Sequence, residues 1–276
     1  MNFQRKATFH RFANHDPNSP ILEVSKLSIG YNGTRALENI SFHLHKGERV
    51  AVVGPNGAGK STLFKAVAGV IQPTSGEIKI SGYGPRGHIC IAYVPQRSQV
   101  DWRFPASVAD VVMMGRIGQI GLFKWPTRSD WDVVHSALED VDMNSQAGRQ
   151  IGELSGGQQQ RTFLARALAQ KAELVLLDEP LNGLDVPSQE AIINILGKLH
   201  DQNITVMVAT HDLGQAARHF ERVMLLNRSL IRFGQPGEVL TNTNLLRAYG
   251  GHAQVIQTSD GTTTVTDTCC DGEDEQ

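Results

Sequence analysis

The sequence predicts an α/β fold: a mixed, mostly parallel sheet with an inserted helical lobe and an antiparallel β part, organised around a phosphate-binding loop. Three observations carry this. Val50-Ala51-Val52-Val53 runs directly into Gly54-Pro55-Asn56-Gly57-Ala58-Gly59-Lys60-Ser61, a buried strand feeding a Gly-rich loop. Leu174-Val175-Leu176-Leu177 and the stretch Ile204 to Ala209 are apolar without alternation, as parallel strands covered on both faces require. Ser188 to His200 connects them with helical character, giving the strand–helix–strand rhythm of an open parallel sheet.

Residues 1–20 are polar and end Asp16-Pro17-Asn18-Ser19-Pro20, which marks a flexible arm before the domain. Strands are expected at Leu22 to Ile29, Ile40 to Leu44 and Arg49 to Val53, and a helix from Lys60 to Gly69. Strand character resumes at Glu77 to Ile80 and Ile89 to Val94. The lobe, about residues 98–168, is mostly helical at Ser107 to Met114, Ser129 to Glu139 and Gln158 to Leu168, with Gly115 to Pro126 as a loop. Arg222 to Leu226 and Leu230 to Phe233 are further strands, and Asn242 to Ala248 a closing helix. The main domain is thus 21–250. Residues 251–276 end Asp271-Gly272-Glu273-Asp274-Glu275 and are expected to be a disordered acidic tail.

Composition narrows the function classes. Lys and Arg number 26 against 28 Asp and Glu, so a net charge of -2 provides no bulk attraction to nucleic acid or to an anionic membrane. No apolar run approaches the ~18 residues of a spanning helix, and the N-terminus lacks the apolar core of a signal peptide. A membrane role therefore requires another chain to span the bilayer. Cys90, Cys269 and Cys270 form no disulfide framework, which suits a reducing compartment. The adjacent pair in the tail lacks the spaced ligands of a structural zinc site, so a solvated tail is expected there.

The Gly-rich loop specifies a nucleoside triphosphate with Mg²⁺. Gly54, Gly57 and Gly59 let backbone N–H groups turn inward, with Pro55, Asn56 and Ala58 completing the cradle, and the helix from Lys60 adds its positive end. Lys60 neutralises the β- and γ-phosphates, the Ser61 hydroxyl is placed on Mg²⁺, and Thr62 donates towards the α- or β-phosphate. Asp178, at the C-terminal end of its strand, stands where open sheets bind ligands and would hold the metal. Glu179 follows as the candidate general base. Leu154-Ser155-Gly156-Gly157-Gln158, about a hundred residues beyond the Gly-rich loop, is a second phosphate-handling loop, placed to serve a partner subunit's nucleotide.

In these motifs, their order and their spacing, residues 21–250 resemble the nucleotide-binding subunits of ABC transporters, and so a P-loop NTPase of the ABC type. The resemblance matches Tyr31 to the adenine-stacking aromatic, Gln96 in Tyr93-Val94-Pro95-Gln96 to the glutamine loop, and Leu154 to Gln158 to the signature. It matches Leu174 to Glu179 to the Walker B strand and catalytic glutamate, Asp185 to the D-loop and His211 to the switch histidine. Slight departures fall at Gln159-Gln160 and Asn182-Gly183. The resemblance implies a head-to-tail dimer in which Ser155, Gly156, Gly157 and Gln158 of one copy meet the ATP held by the other. Gln96 would sense Mg²⁺ and the attacking water, and His211 would contact the γ-phosphate.

Asp101-Trp102-Arg103-Phe104-Pro105 followed by Asp110 to Arg116 looks like the ATPases of manganese, zinc and iron importers, most like the manganese group. It places Trp102, Phe104, Met113 and Met114 near the lobe surface where a permease would dock. The expected function is ATP hydrolysis driving import of Mn²⁺ through a separate integral membrane permease, with an external metal-binding protein delivering the ion. The subunit would sit peripherally on the cytoplasmic face of the cell membrane. Zinc or iron import is the alternative. A soluble ATPase acting on nucleic acid or in assembly is opposed by the near-neutral charge and by the lack of a long heptad insertion between the nucleotide motifs.

Overall fold

The computed structural model describes residues 19–31, 33–84, 90–121 and 123–250, and the backbone of 253–257 and 263–267. From the N-terminal side, β1 (Leu22–Tyr31) and β2 (Thr34–Leu44) form an antiparallel hairpin. Lys26 adopts a positive φ of 50°, and the register slips there. That slip keeps Leu22, Val24, Leu27 and Ile29 all buried although their spacing is not strictly alternate. After β3 (Arg49–Val53) and α1 (Lys60–Val67), β4 (Ser75–Ile80) pairs antiparallel with β1, completing the three-stranded sheet β2-β1-β4.

The next strand, β5 (Ile91–Val94), leads into the lobe of α2 (Val108–Met114), α3 (Ile117–Ile120), α4 (Arg128–Asp140) and α5 (Gly156–Ala169). The chain then alternates β6 (Leu174–Asp178), α6 (Val186–Asp201), β7 (Thr205–Thr210), α7 (Leu213–His219) and β8 (Arg222–Asn227). It closes with β9 (Ser229–Gly234), α8 (Pro236–Val239) and α9 (Asn242–Tyr249). The central sheet has the order β5-β6-β7-β3-β8-β9, parallel except for β9.

Two cores lie on opposite faces of that sheet, which explains its continuous apolar strands. Val50, Val52, Leu174, Leu176, Met207 and Ala209 face α1 and the antiparallel sheet. Ala51, Val53, Val175, Leu177, Val206 and Val208 face the cluster that includes α5 and α6. Alternate residues of one strand therefore enter different cores, and the buried polar residues of β6 and β7, Asp178, Thr205 and Thr210, stand only at strand ends.

The structure departs from the sequence reading in four places. Gly115 to Pro126 is not all loop, since α3 occupies part of it. The short helices α7 and α8 were missed because neither is long enough to display a helical period. The stretch expected to be a disordered tail contains β10 (Ala253–Gln257) and β11 (Thr263–Asp267), paired antiparallel. Their Val, Ile and Thr content favours extended backbone, a local preference that the overall polar composition hid. Met113 is buried in the lobe rather than near its surface, because it lies on the face of α2 that packs inward. The N-terminal arm through residue 18 and Cys269 and Cys270 lie outside the described residues.

A buried ion pair clamps the lobe. The Asp130 carboxylate accepts from the Thr127 amide (2.9 Å) and hydroxyl (2.7 Å), forming the capping box of α4. Its other oxygen accepts from the Arg116 guanidinium at 3.1 and 3.3 Å, and Arg116 also donates to the Ala169 carbonyl at the end of α5. The Thr127 bonds, then Arg116, hold the Asp130 carboxyl below the usual carboxylate range. This contribution to stability is complete above the unfolded carboxylate pKa and fades as pH falls through the lower folded value. Asp130→Ala removes the N3 half of the capping box and the carboxylate partner of a buried guanidinium, so it is expected to cost about 3 kcal/mol in denaturant unfolding. Asp130→Asn, which retains a capping acceptor, is expected to cost less.

Candidate functional site

Parallel order brings four strand ends to one edge of the sheet. β5 ends before Gln96, β6 before Glu179, β7 before His211 and β3 before the phosphate loop. Val94 is opposite Leu177, Asp178 opposite Ala209, and Val53 opposite Thr210. The sequence-predicted residues therefore stand side by side, in the order Gln96, Asp178-Glu179, His211 and Gly54, although they are far apart along the chain.

The phosphate loop is shaped by its glycines and by its neighbour sheet. Gly59 caps α1 in the left-handed region at φ 97°. A β-carbon there would meet the Ala36 carbonyl at 2.7 Å and the Leu37 side chain, both on β2. Only glycine lets the loop lie this close to the antiparallel sheet. Lys60 reaches back under the loop, donating to the Gly54 carbonyl at 2.6 Å and the Pro55 carbonyl at 3.1 Å. Only 6% of its surface remains exposed. Burial lowers the ammonium's pKa, and the nearby Glu179 and Asp178 carboxylates partly offset that. An ammonium held in this way at the start of α1 matches a phosphate anion in charge and position.

Asp178 is 1% exposed, at the inner end of the site. Burial pushes its carboxyl pKa up, against the Ser61 hydroxyl bond that pulls it down. The Tyr93 hydroxyl donates to Oδ2 at 3.4 Å, while Oδ1 has no hydrogen-bond partner. An unpaired buried carboxylate oxygen beside a serine hydroxyl fits an oxygen-liganded divalent cation such as Mg²⁺, which would supply the missing partner.

Glu179 has a non-glycine positive φ of 50°, with its amide donating to the Ala209 carbonyl at 3.0 Å. Its Oε2 accepts from Gln96 Nε2 at 2.9 Å and from Asn182 Nδ2 at 3.1 Å. A strained backbone held from three directions is a device for aiming a side chain. His211 is exposed at the same edge, just after β7. Tyr31 is half-exposed at the tip of the β1–β2 hairpin.

The second loop is built separately. Ser155 caps α5: its hydroxyl accepts from the Gln158 amide at 3.3 Å, and the Gln158 side chain accepts from the Ser155 amide at 3.0 Å. A β-carbon on Gly156 would meet Arg97 Nη1 at 2.6 Å, and one on Gly157 would meet the Ser188 hydroxyl. This loop thus packs against α6, whose N-cap is Asp185. No hydrogen bond joins residues 155–158 to residues 54–62 among the described residues. Ser155 to Gln158 and Asp185 are accordingly grouped apart from the phosphate loop of the same chain.

Three functional contacts escaped the sequence reading. Tyr93 and Asn182 were noted only as neighbours in motifs, yet they bond Asp178 and Glu179. Arg97, one residue after Gln96, donates to Gln159 Oε1 on α5 at 2.8 Å. Asn182, three residues after Glu179 in a turn, was the one with a local signal, since such spacing lets a side-chain amide fold back. On the lobe, Trp102 is half-buried, its ring edge-on to Phe163 at 5.4 Å and its Nε1 donating to the Arg97 carbonyl at 3.0 Å. Phe104 and Met114 are exposed.

A family model for ABC transporters matches residues 37–182. The chain is 43% identical over 244 residues to the manganese transport system ATP-binding protein MntB of Halalkalibacterium halodurans, covering 88% of this chain and 97% of that one. It is also 43% identical over 245 residues to the chelated iron transport system membrane protein YfeB of Yersinia pestis, covering 87% and 82%. Among solved structures, an inward-facing metal-chelate type ABC transporter superposes with a TM-score of 0.77 at 32% identity, covering 90% of this chain and 98% of that one.

Asn182→Ala removes one of the two amides on the Glu179 carboxylate and nothing from the phosphate loop. Steady-state ATPase measurements are expected to show kcat reduced by about fivefold, with ATP affinity unchanged. An unchanged kcat would leave Gln96 and the backbone as sufficient to aim Glu179.

Proposed function

The chain belongs to the ABC transporter family as an ATP-hydrolysing subunit, and we propose that it powers import of a divalent metal ion, Mn²⁺, through a separate membrane permease. The observation that carries the catalytic part is the pair Asp178 and Glu179, one with an orphaned buried oxygen for Mg²⁺ and the other aimed by two side-chain amides. Lys60 and the backbone amides of Gly54, Gly57 and Gly59 hold the β- and γ-phosphates, and Thr62 adds a donor. Ser61 and Asp178 hold Mg²⁺, with Gln96 beside them. When bound, that ion neutralises charge on the phosphate oxygens.

Glu179 acts as general base towards water, and His211 steadies the γ-phosphate from the neighbouring strand end. Tyr31 offers its exposed ring to adenine. Because Ser155 to Gln158 and Asp185 are grouped apart from the phosphate loop, they serve the nucleotide of a second copy packed head to tail. Closure of that dimer draws on the γ-phosphate charge bridging two donor sets. Among the described residues no helix is long and apolar enough to cross a membrane, so the spanning path belongs to a partner. The subunit then sits peripherally at the cytoplasmic face, beneath its permease, and an external binding protein supplies the ion. Domain limits follow: an arm over 1–20, the ATPase over 21–250 with its lobe about 98–168, and a terminal segment over 251–276.

Manganese is favoured by similarity to a manganese system's ATPase across 97% of that protein's length. The equal identity to an iron-system protein keeps iron, and with it zinc, as the second reading. Selectivity resides in the permease and the binding protein, because nothing in the ATPase chemistry distinguishes the cargo.

Glu179→Gln is expected to keep ATP binding and to lower turnover by about a hundredfold or more, trapping an ATP-bound dimer visible by size-exclusion chromatography. Near-parental turnover would remove Glu179 from the base role. Disrupting the gene is expected to abolish high-affinity uptake of radiolabelled Mn²⁺ and to slow growth in manganese-poor medium. Normal Mn²⁺ uptake with a collapse of iron or zinc uptake would transfer the assignment to the second reading.

A further inference from the structure

We propose that the loop between α3 and α4 is a membrane-contact element, in which Phe123 and Trp125, flanking Lys124, enter the headgroup layer of an anionic bilayer. The inference rests on the reading that the chain works beneath a membrane permease. Phe123 is 99% exposed and Trp125 is 91% exposed, so neither ring packs against any of the described residues. Lys124 and Arg128 are exposed beside them, and no Asp or Glu occurs from Val111 to Ser129. Asp130 has its carboxylate committed to Arg116 and Thr127, and the first exposed acid is Asp132, inside α4. Aromatic rings interleaved with unpaired cations are the chemistry of the headgroup layer, where the rings sit at the apolar boundary and the cations meet lipid phosphates. The chain as a whole carries -2, so this attraction is local to the loop.

The base of the loop is held firmly while its tip is bare. Arg116 is tied to Asp130 and to the Ala169 carbonyl, Gln119 Nε2 donates to the Gln170 carbonyl at 2.7 Å, and Thr127 and Asp130 cap α4. These anchors lie at the C-terminal end of α5. Phe163, Arg166, Ala167 and Gln170 line one hollow along that helix, and Phe163 supports Trp102 at its other end. Seven residues of helix separate the two ends by about 10 Å. The base of the aromatic loop therefore lies about 10 Å along α5 from Trp102, the residue expected near the permease, and a loop beside that contact would stand near the surrounding lipid. Phe123 and Trp125 lie bare with cations between and after them and no acid nearby, a charge pattern complementary to anionic headgroups.

The test uses the full chain and vesicles of phosphatidylcholine, with and without phosphatidylglycerol, and with no permease present. The parent is expected to co-sediment with the phosphatidylglycerol vesicles, less so as salt is raised. Combining Phe123→Ser with Trp125→Ser is expected to weaken that binding by about tenfold. The double variant should retain the parent's ATP affinity and unfolding midpoint, since both side chains are bare in the fold. Absence of vesicle binding by the parent overturns the proposal, as does equal binding by the variant. Loss of permease capture in detergent with vesicle binding unchanged also overturns it, and gives the loop to a protein contact. Metal uptake is not a readout here, so failure of the manganese assignment leaves the vesicle result standing.

Discussion

Lys60 donates to the carbonyls of Gly54 and Pro55 from a position that solvent barely reaches, and the arrangement of the site follows from that buried charge. An ammonium removed from water needs anions or oriented dipoles around it. Here the loop carbonyls and the field of Asp178 and Glu179 supply part of that need. A phosphate anion at the start of α1 would supply the remainder. Asp178 presents the complementary demand, a buried carboxylate oxygen lacking a donor. A triphosphate carrying a divalent cation satisfies both demands at once, which either ion alone would not.

The sheet order is what allows one anion to be met from so many parts of the chain. With β6 and β7 placed between β5 and β3, the ends of four strands converge on a short edge. Burial on both faces then holds that edge stiff, because alternate residues of each strand are locked into different cores. Misplacement of a catalytic group would require repacking two cores together, and close-packed interiors resist that strongly.

Much of this was legible in the sequence, for physical reasons that differ by element. The phosphate loop was legible because its chemistry demands particular residues at fixed spacing, with glycines where a β-carbon would collide, as at Gly59 against Ala36. The strands around Val50, Leu174 and Val206 were legible because double burial forbids alternation. The helices that begin at Val108, Arg128 and Gly156 were readable from their apolar period to within two residues, whereas the capping boxes at Ser107, Thr127 and Ser155 that fix those starts went unread. The contacts of Glu179 were not legible. Its bond to Gln96 spans 83 residues and exists only because β5 and β6 are neighbours, a fact of topology. Burial of Met113 beside exposed Met114 was equally hidden, since two adjacent methionines on a helix differ only in which face the lobe covers.

The placement of Gln96 and Arg97 shows how the two halves of the chain are mechanically joined. Consecutive residues at the start of a single 3₁₀ turn bond in different directions: Gln96 to the carboxylate of Glu179 on the sheet, Arg97 to Gln159 on α5. Arg97 also lies against Gly156, and its carbonyl accepts from Trp102. The turn is therefore pinned to the Glu179 carboxylate, to α5 and to Trp102 at once. A displacement of Trp102 would either break its bond to the Arg97 carbonyl or pull on the turn that carries Gln96 and Arg97. Conversely, an anion that rearranges Glu179 changes what Gln96 can reach and so loads Arg97 and α5. Reciprocity of this kind is what linkage between two sites demands. Here it requires no long pathway, because the two contacts begin on adjacent residues.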